Sequence, residues 1–138
     1  MRKFLNLILA IAFLPAACQT KKDTDFETQK KFQIELNQKV LDALKKSGES
    51  FTKARPVFHW IYFKTEEDEK KYLKEVETHK FVLVSTNKIV RELPYELKIK
   101  RIDLVDKKSV DDYALYLWEQ SLKYNGYYDG WETSVEKN

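Results

Sequence analysis

The spacing of apolar side chains predicts an amphipathic helix near the start of the folded part of the chain. Over residues 25–46, Leu36, Val40 and Leu44 recur every four positions. A stripe with this spacing is typical of a helix that buries one face and leaves the other in water. Gly48 follows the stripe and suits the end of a helix, because glycine adopts the left-handed conformation without strain.

Three later segments are typical of strands. Residues 55–63, RPVFHWIYF, are β-branched or aromatic at most positions, which predicts a strand that is buried on both faces or central in a sheet. Residues 80–86 contain a second apolar run and predict the next strand. Residues 91–101 alternate apolar and charged side chains, as a strand with one solvated face does. Pro94 lies in that segment and favours a strand start or an edge position.

Polar residues and a glycine predict where the other elements begin and end. Thr65 is a good N-cap for the acidic helix that follows it, and Ser109 is the expected N-cap of the last helix. Gly126 is expected to end that last helix with a positive φ. Asn87 and Lys88 are expected to form the turn between the second and third strands.

The order of these elements predicts the fold. A closing strand around residues 131–135 completes the order β-α-β-β-α-β after the leading helix. We therefore expect an α+β fold, a ferredoxin-like split β-α-β-β-α-β domain with a four-stranded antiparallel sheet, preceded by an N-terminal helix. The domain is expected to cover residues 31–138.

The first eighteen residues, MRKFLNLILAIAFLPAAC, have a different character. A basic head and an apolar run predict a secretory signal peptide over residues 1–17, and the run is too short to span a bilayer stably. Cys18 follows two alanines, as in a bacterial lipobox, although Pro15 stands where that motif has an aliphatic residue. We expect lipidation at Cys18, a tether over residues 18–30 and a membrane-anchored lipoprotein of the cell envelope. The alternative is ordinary signal cleavage that leaves an incidental free thiol.

Composition narrows the classes of function. The net charge of +3 includes Arg2 and Lys3, so the chain beyond the predicted signal peptide is nearly neutral and has no electrostatic footprint for nucleic acid. A single cysteine allows no intramolecular disulfide and no cysteine-based metal site, and no cofactor is predicted. His59 is expected to be a hydrogen-bonded core residue, and His79 to lie at a helix end. Neither indicates catalysis.

Glycines and aromatic side chains gather near the end of the chain, in NGYYDGWETSVE. Residues 128–131 are expected to form a turn in which Asp129 bonds backbone N–H groups and Gly130 has a positive φ. Trp131 is expected to pack against the sheet or a helix, and at least one of Tyr127 and Tyr128 to stay exposed. The candidate partner-binding residues are Tyr127, Tyr128, Asp129, Trp131 and Glu132. The alternative is that these aromatic side chains only complete the core.

The same stretch resembles a known family. Its matching positions are Gly126, Tyr128, Asp129, Gly130, Trp131, Glu132, Thr133 and Val135. They resemble the C-terminal signature of the regulator of ribonuclease activity B (RraB) family, the ribonuclease E inhibitor domain. The segment VFHWIYF, with His59 and Phe63, resembles the first strand of that family. The similarity covers about residues 36–135.

The resemblance implies a ferredoxin-like fold, no catalytic residue and a protein partner, which in the family is ribonuclease E. A signal peptide conflicts with a cytoplasmic partner, so we expect a non-enzymatic, exported binding module whose partner differs. Two alternatives are a cytoplasmic regulator that binds ribonuclease E and a structural envelope lipoprotein. A carboxylate pair, Asp129 and Glu132, would suit a hydrolase, but neighbouring carboxylates are common on solvated faces.

Overall fold

Seven elements follow one another along residues 22–137, the part of the chain that this computed structural model describes. In chain order they are α1 (Lys22–Lys46), β1 (Arg55–Phe63), α2 (Glu66–Glu77), β2 (Val82–Lys88), β3 (Tyr95–Asp103), α3 (Lys107–Lys123) and β4 (Gly126–Thr133). The order after α1 is β-α-β-β-α-β, as predicted.

The structure tests only part of the predictions made for the N-terminal residues. The signal peptide over residues 1–17 and the lipidation at Cys18 lie outside the described residues. The expected tether over residues 18–30 overlaps α1, which begins at Lys22, so residues 22–30 are helical. Within the described part of the chain, no helix is long and apolar enough to cross a membrane.

The four strands form one antiparallel sheet in the order β2-β3-β1-β4. Strand β1 is central, as its apolar sequence predicts, and it pairs with β3 from Arg55 to Phe63. Strand β3 is also interior, so Pro94 marks the start of a strand and not an edge. The α+β class, the antiparallel sheet and the ferredoxin-like arrangement are confirmed.

One face of this sheet carries the hydrophobic core. Val57, His59, Ile61 and Phe63 point from β1 to this face, and none of them is exposed. Their neighbours belong to the helices: the Phe63 ring lies 5.1 Å from the Tyr72 ring of α2. The core also takes in apolar residues of α1 and α3. All helices of the described region therefore pack in a single layer.

His59 lies at the centre of that layer, as a core residue. Its Nδ1 shares a 2.8 Å hydrogen bond with the Tyr128 hydroxyl. The Phe81 and Tyr113 rings meet the imidazole edge-on at 5.7 and 5.5 Å. Complete burial, followed by the nearby positive charge of Arg101, lowers the pKa of His59 to about 3. The imidazole is therefore neutral in the folded protein at neutral pH.

Two of the predicted boundaries are wrong. Helix α3 is capped by Asp106, whose carboxylate accepts hydrogen bonds from the backbone N–H and the hydroxyl of Ser109 at 3.0 and 2.6 Å. Ser109 therefore lies inside the first turn and supports the cap. Asn87 and Lys88 belong to β2, because they pair with Glu96 and Tyr95 of β3. The N-cap at Thr65 is confirmed.

The end of α3 differs from the prediction in which residue takes the left-handed conformation. Asn125 has a φ of 55°, and Gly126 has no positive φ. Glycine is required at position 126 for space, because an added Cβ would lie 2.5 Å from Cε1 of Phe63. Strand β4 begins at Gly126 itself, which is five residues before the predicted start.

The segment predicted as a turn is instead a bulge within β4. Trp60 of β1 pairs with Gly130 while Ile61 pairs with Tyr128, so Asp129 is an extra residue in the ladder. Gly130 has a φ of 133°, which confirms the predicted positive φ. The side chain of Asp129 makes no hydrogen bond within residues 22–137, so its expected bonds to backbone N–H groups are wrong.

We expect Gly126→Ala to destabilise the protein by about 1–3 kcal/mol, because the new methyl group overpacks against Phe63. Adding Phe63→Leu makes room, so the loss caused by Gly126→Ala is smaller in that background. Urea denaturation of the double-mutant cycle measures the difference. Gly130→Ala is the control: no atom lies within 4 Å of its added Cβ, so its loss does not depend on Phe63. Equal losses in both backgrounds would contradict the steric reason.

The buried imidazole predicts a pH dependence of stability. Unfolded histidine binds a proton near pH 6.5, whereas folded His59 does so near pH 3. The unfolded state therefore holds more protons between these values, and stability falls as the pH falls from about 6.5 towards 3. This group contributes a slope of up to about 1.4 kcal/mol per pH unit.

We expect His59→Gln to remove that contribution, which urea denaturation between pH 6.5 and 5 measures. Phe32→Ala, which changes no titratable group, retains the wild-type slope. Identical slopes for His59→Gln and the wild type would show that folded His59 protonates as readily as unfolded histidine.

Candidate partner-binding face

The sheet face opposite the helices carries a row of aromatic side chains. Phe58, Trp60 and Tyr62 alternate along β1 with the core residues, so they point away from the helices. Tyr127 of β4 pairs with Tyr62 and lies on the same face. On β3, the residues opposite Tyr62, Trp60 and Phe58 are Glu96, Lys98 and Lys100. We call this surface the open face; it is formed by Phe58, Trp60, Tyr62, Glu96, Lys98, Lys100 and Tyr127.

Two lysines cover the aromatic rings at one end of the open face. The Lys98 ammonium lies 4.5 Å from the centre of the Trp60 ring and 4.8 Å from that of Phe58. The Lys100 ammonium lies 5.9 Å from the Phe58 ring. Cation–π attraction holds each amine near a ring while water still reaches it. Among the ion pairs of residues 22–137, none includes Lys98 or Lys100.

Carboxylates and an arginine gather at the other end. The Tyr62 hydroxyl and the Asn87 amide each donate to Glu96 at 3.0 Å. The Arg91 guanidinium lies 5.6 Å from the Tyr62 ring. Burial raises the pKa of Asp129, the charge of Arg91 opposes that effect, and the charge of Glu96 adds to it. The open face therefore has a cationic end on β3 and an acidic end around Glu96 and Asp129, and Glu132 of β4 lies across β1 from the cationic end.

The structure separates the five predicted partner-binding residues. Tyr127 is 43% exposed and lies on the open face, and Glu132 is half-buried and pairs with Phe58 there. Asp129 is half-buried in the bulge. Tyr128 and Trp131 are 3% and 8% exposed, so a partner at the surface cannot contact their side chains. This corrects the prediction that these two residues bind a partner. The expectation that one of the two tyrosines stays exposed is confirmed.

Trp131 has a structural role. Its indole N–H donates to the side-chain oxygen of Asn37 at 3.0 Å, and the Asn37 amide donates to Asp111 at 3.0 Å. These bonds connect β4, α1 and α3. The packing expected for Trp131 is therefore confirmed, and this chain of contacts holds β4 in place at the edge of the sheet.

His79 lies just beyond the end of α2, as predicted. Its ring is 4.3 Å from the Tyr116 ring, and its Nδ1 shares hydrogen bonds with the hydroxyls of Tyr116 and Thr78 at 2.7 and 3.0 Å. Within residues 22–137, no group of three or more histidine, cysteine, aspartate or glutamate side chains is placed to hold a metal ion.

The alternation along the strands contains a signal for the open face. The alternation along β1 separates Phe58, Trp60 and Tyr62 from the core residues, and Lys98 and Lys100 alternate in the same way along β3. Joining the two sets requires the register in which Trp60 lies opposite Lys98. The sequence alone does not provide that register.

Comparison with known proteins identifies the family of this chain. No curated protein matches the chain. The family model described as "Regulator of ribonuclease activity B" matches residues 34–133, which are most of the chain and include every strand. With its ferredoxin-like sheet and the glycine–aromatic segment of β4 inside that match, the chain belongs to the regulator of ribonuclease activity B family.

Proposed function

We propose that this chain is a non-catalytic regulator that binds a partner protein through the open face. The observation that carries the proposal is the set of aromatic side chains on a sheet face that no helix of the described region covers. Tyr127 is its most exposed ring, and Phe58 and Trp60 are half-buried beside it. Membership in a family of regulators supports a role in binding and not in catalysis.

The composition of the open face supports binding to a protein. Tyrosine, tryptophan and arginine carry much of the energy of protein interfaces, because they bury a large area and also form polar contacts. The open face offers Trp60 and Tyr127 to a partner, with Arg91 beside them, whereas Tyr62 is only 8% exposed. These side chains project from paired strands, so little backbone order is lost when a partner binds.

Ribonuclease E is the first candidate for the partner, because that is the protein which the family binds. A chain that stays in the cytoplasm would meet this enzyme and restrain its cleavage of RNA. An exported chain would use the same face on another protein. The open face is the binding site in both cases, so the site can be tested before the partner is known.

We expect a photo-reactive phenylalanine analogue at position 127 to cross-link to a partner protein in intact cells. The same analogue at position 32 is the matched control, because Phe32 of α1 is also 43% exposed and lies in the helical layer. Mass spectrometry of the adducts identifies the partner. Tyr127→Ala should weaken capture of that partner by at least about tenfold, with an unchanged melting temperature. Adducts from position 32 alone would contradict the proposal.

Export and lipid anchoring are a separate proposal. The basic head, the apolar run and the small residues before Cys18 support it, and all of them lie outside the described residues. On this proposal residues 1–17 are removed, and Cys18 anchors the domain to the inner or outer membrane of the cell envelope. A purely structural envelope lipoprotein is the further alternative, for which position 127 would yield no adduct.

We expect the wild-type protein to fractionate with membranes and to incorporate labelled fatty acid, because a lipidated cysteine partitions into the bilayer. Cys18→Ala should abolish the label and either release the protein or leave it unprocessed. Ser47→Ala, a change in the described domain, is the control and should behave as the wild type does. Soluble wild-type protein with an intact Met1 would contradict export and favour ribonuclease E as the partner.

A further inference from the structure

We propose that the cationic end of the open face binds an acidic segment of the partner that also carries apolar side chains. We call this end the lysine–aromatic patch; it is formed by Phe58, Trp60, Lys98 and Lys100. The inference rests on the proposed function, since it names the chemistry of the partner at the same face.

Neither lysine charge of the patch is paired with a carboxylate of residues 22–137. Lys107 and Lys108 of α3 lie 2.8 and 2.6 Å from carboxylates of their own helix. Lys98 and Lys100 have only ring contacts among the described residues, at 4.5–5.9 Å. A partner carboxylate can therefore approach either amine without displacing a resident carboxylate. The rings already restrict the amines, which lowers the entropy lost when an ion pair forms.

Exposed apolar side chains lie beside the patch. Val82 pairs with Lys100, and Ile102 pairs with Pro56, so both lie on the open face. Val82 is 49% exposed and Ile102 is 61% exposed. With the half-buried Phe58 ring, they form an apolar area next to the two amines. A purely charged segment would leave this area in water, so the matching segment has apolar side chains between its carboxylates.

The acidic groups near the patch are distributed unevenly over the strands. Asp129 and Glu132 lie on β4, on the other side of β1 from the lysines. Glu96 on β3 is engaged by Tyr62 and Asn87. An acidic segment is repelled by β4 and attracted by β3, which favours a position over β1, β3 and the edge strand β2.

The same charges disfavour single-stranded nucleic acid. Base stacking needs free ring faces, whereas the Lys98 amine covers both Trp60 and Phe58. A nucleic-acid strand also brings a phosphate with every nucleotide, and Asp129 and Glu132 would repel it. A short acidic peptide can place its carboxylates at the two lysines alone.

The test is a titration of the isotope-labelled full chain in detergent with defined ligands, followed by NMR. The ligands are a twelve-residue peptide of alternating glutamate and leucine, its lysine–leucine and glutamate–serine counterparts, and a twelve-nucleotide oligouridylate. The three tryptophans give a built-in readout, because Trp60 lies on the open face while Trp118 and Trp131 are buried. We expect the glutamate–leucine peptide to shift the indole N–H signal of Trp60 and to leave the other two in place.

Variants then identify the charges. Lys98→Gln with Lys100→Gln should weaken binding of the glutamate–leucine peptide by at least tenfold, and Lys98→Arg with Lys100→Arg should retain it. Lys70→Gln with Lys71→Gln is the matched control: it removes two exposed positive charges from α2, in the helical layer on the other side of the sheet. Melting temperatures of all variants establish that they remain folded.

Several results would overturn the inference. They are equal or tighter binding of the lysine–leucine peptide, tighter binding of oligouridylate, unchanged affinity of the glutamine variant, and no shift of Trp60 with any ligand. The proposed function is tested separately by the adduct at position 127. If that adduct forms while the glutamine variant captures the same protein with undiminished affinity, the open face remains the binding site and only the acidic chemistry is wrong.

Discussion

Coverage of the sheet on one side only is the constraint on which the rest of this structure depends. The described helices pack against a single face, so neighbouring residues of the central strand β1 meet different surroundings. Val57, His59 and Ile61 are fully buried under the helices, while Phe58 and Trp60 between them stay partly in water. Large rings on an uncovered face need polar partners, and the lysines of β3 provide them.

The same constraint explains why β4 combines a structural role with a proposed binding role. Tyr128 and Trp131 point to the helices and anchor the strand through His59 and Asn37. Tyr127 points the other way and stays available to a partner. The bulge at Asp129 lets two core aromatics lie on one face although three positions separate them, since one extra residue shifts the alternation.

Family membership and the open face are separate observations, and each supports a role in binding a protein. The family model covers every strand, so it includes both the buried contacts of β4 and the exposed rings. A ferredoxin-like sheet by itself fixes no partner, because function depends on the side chains that it presents. In this chain those side chains are aromatic rings between a cationic and an acidic end, which favours a partner with a matching charge pattern.

The periodicity of the sequence determined the elements, their order and the two faces of β1, because burial on one side leaves a local record in a strand that alternates between core and open face. It missed the cap at Asp106 and the left-handed residue at Asn125. Asp106 and Ser109 are both good N-cap residues, and asparagine as well as glycine tolerates the left-handed conformation, so propensity alone did not decide either position.

The reason for Gly126 was also beyond the sequence, since the Phe63 ring that excludes a Cβ there lies 63 positions away along the chain. The candidate site depends on the same kind of information. Alternation assigns Trp60 and Lys98 to faces of their own strands, but only the register between β1 and β3 places the amine over the ring. Contacts between distant parts of the chain leave no periodic trace in its sequence, so the tertiary structure alone decided them.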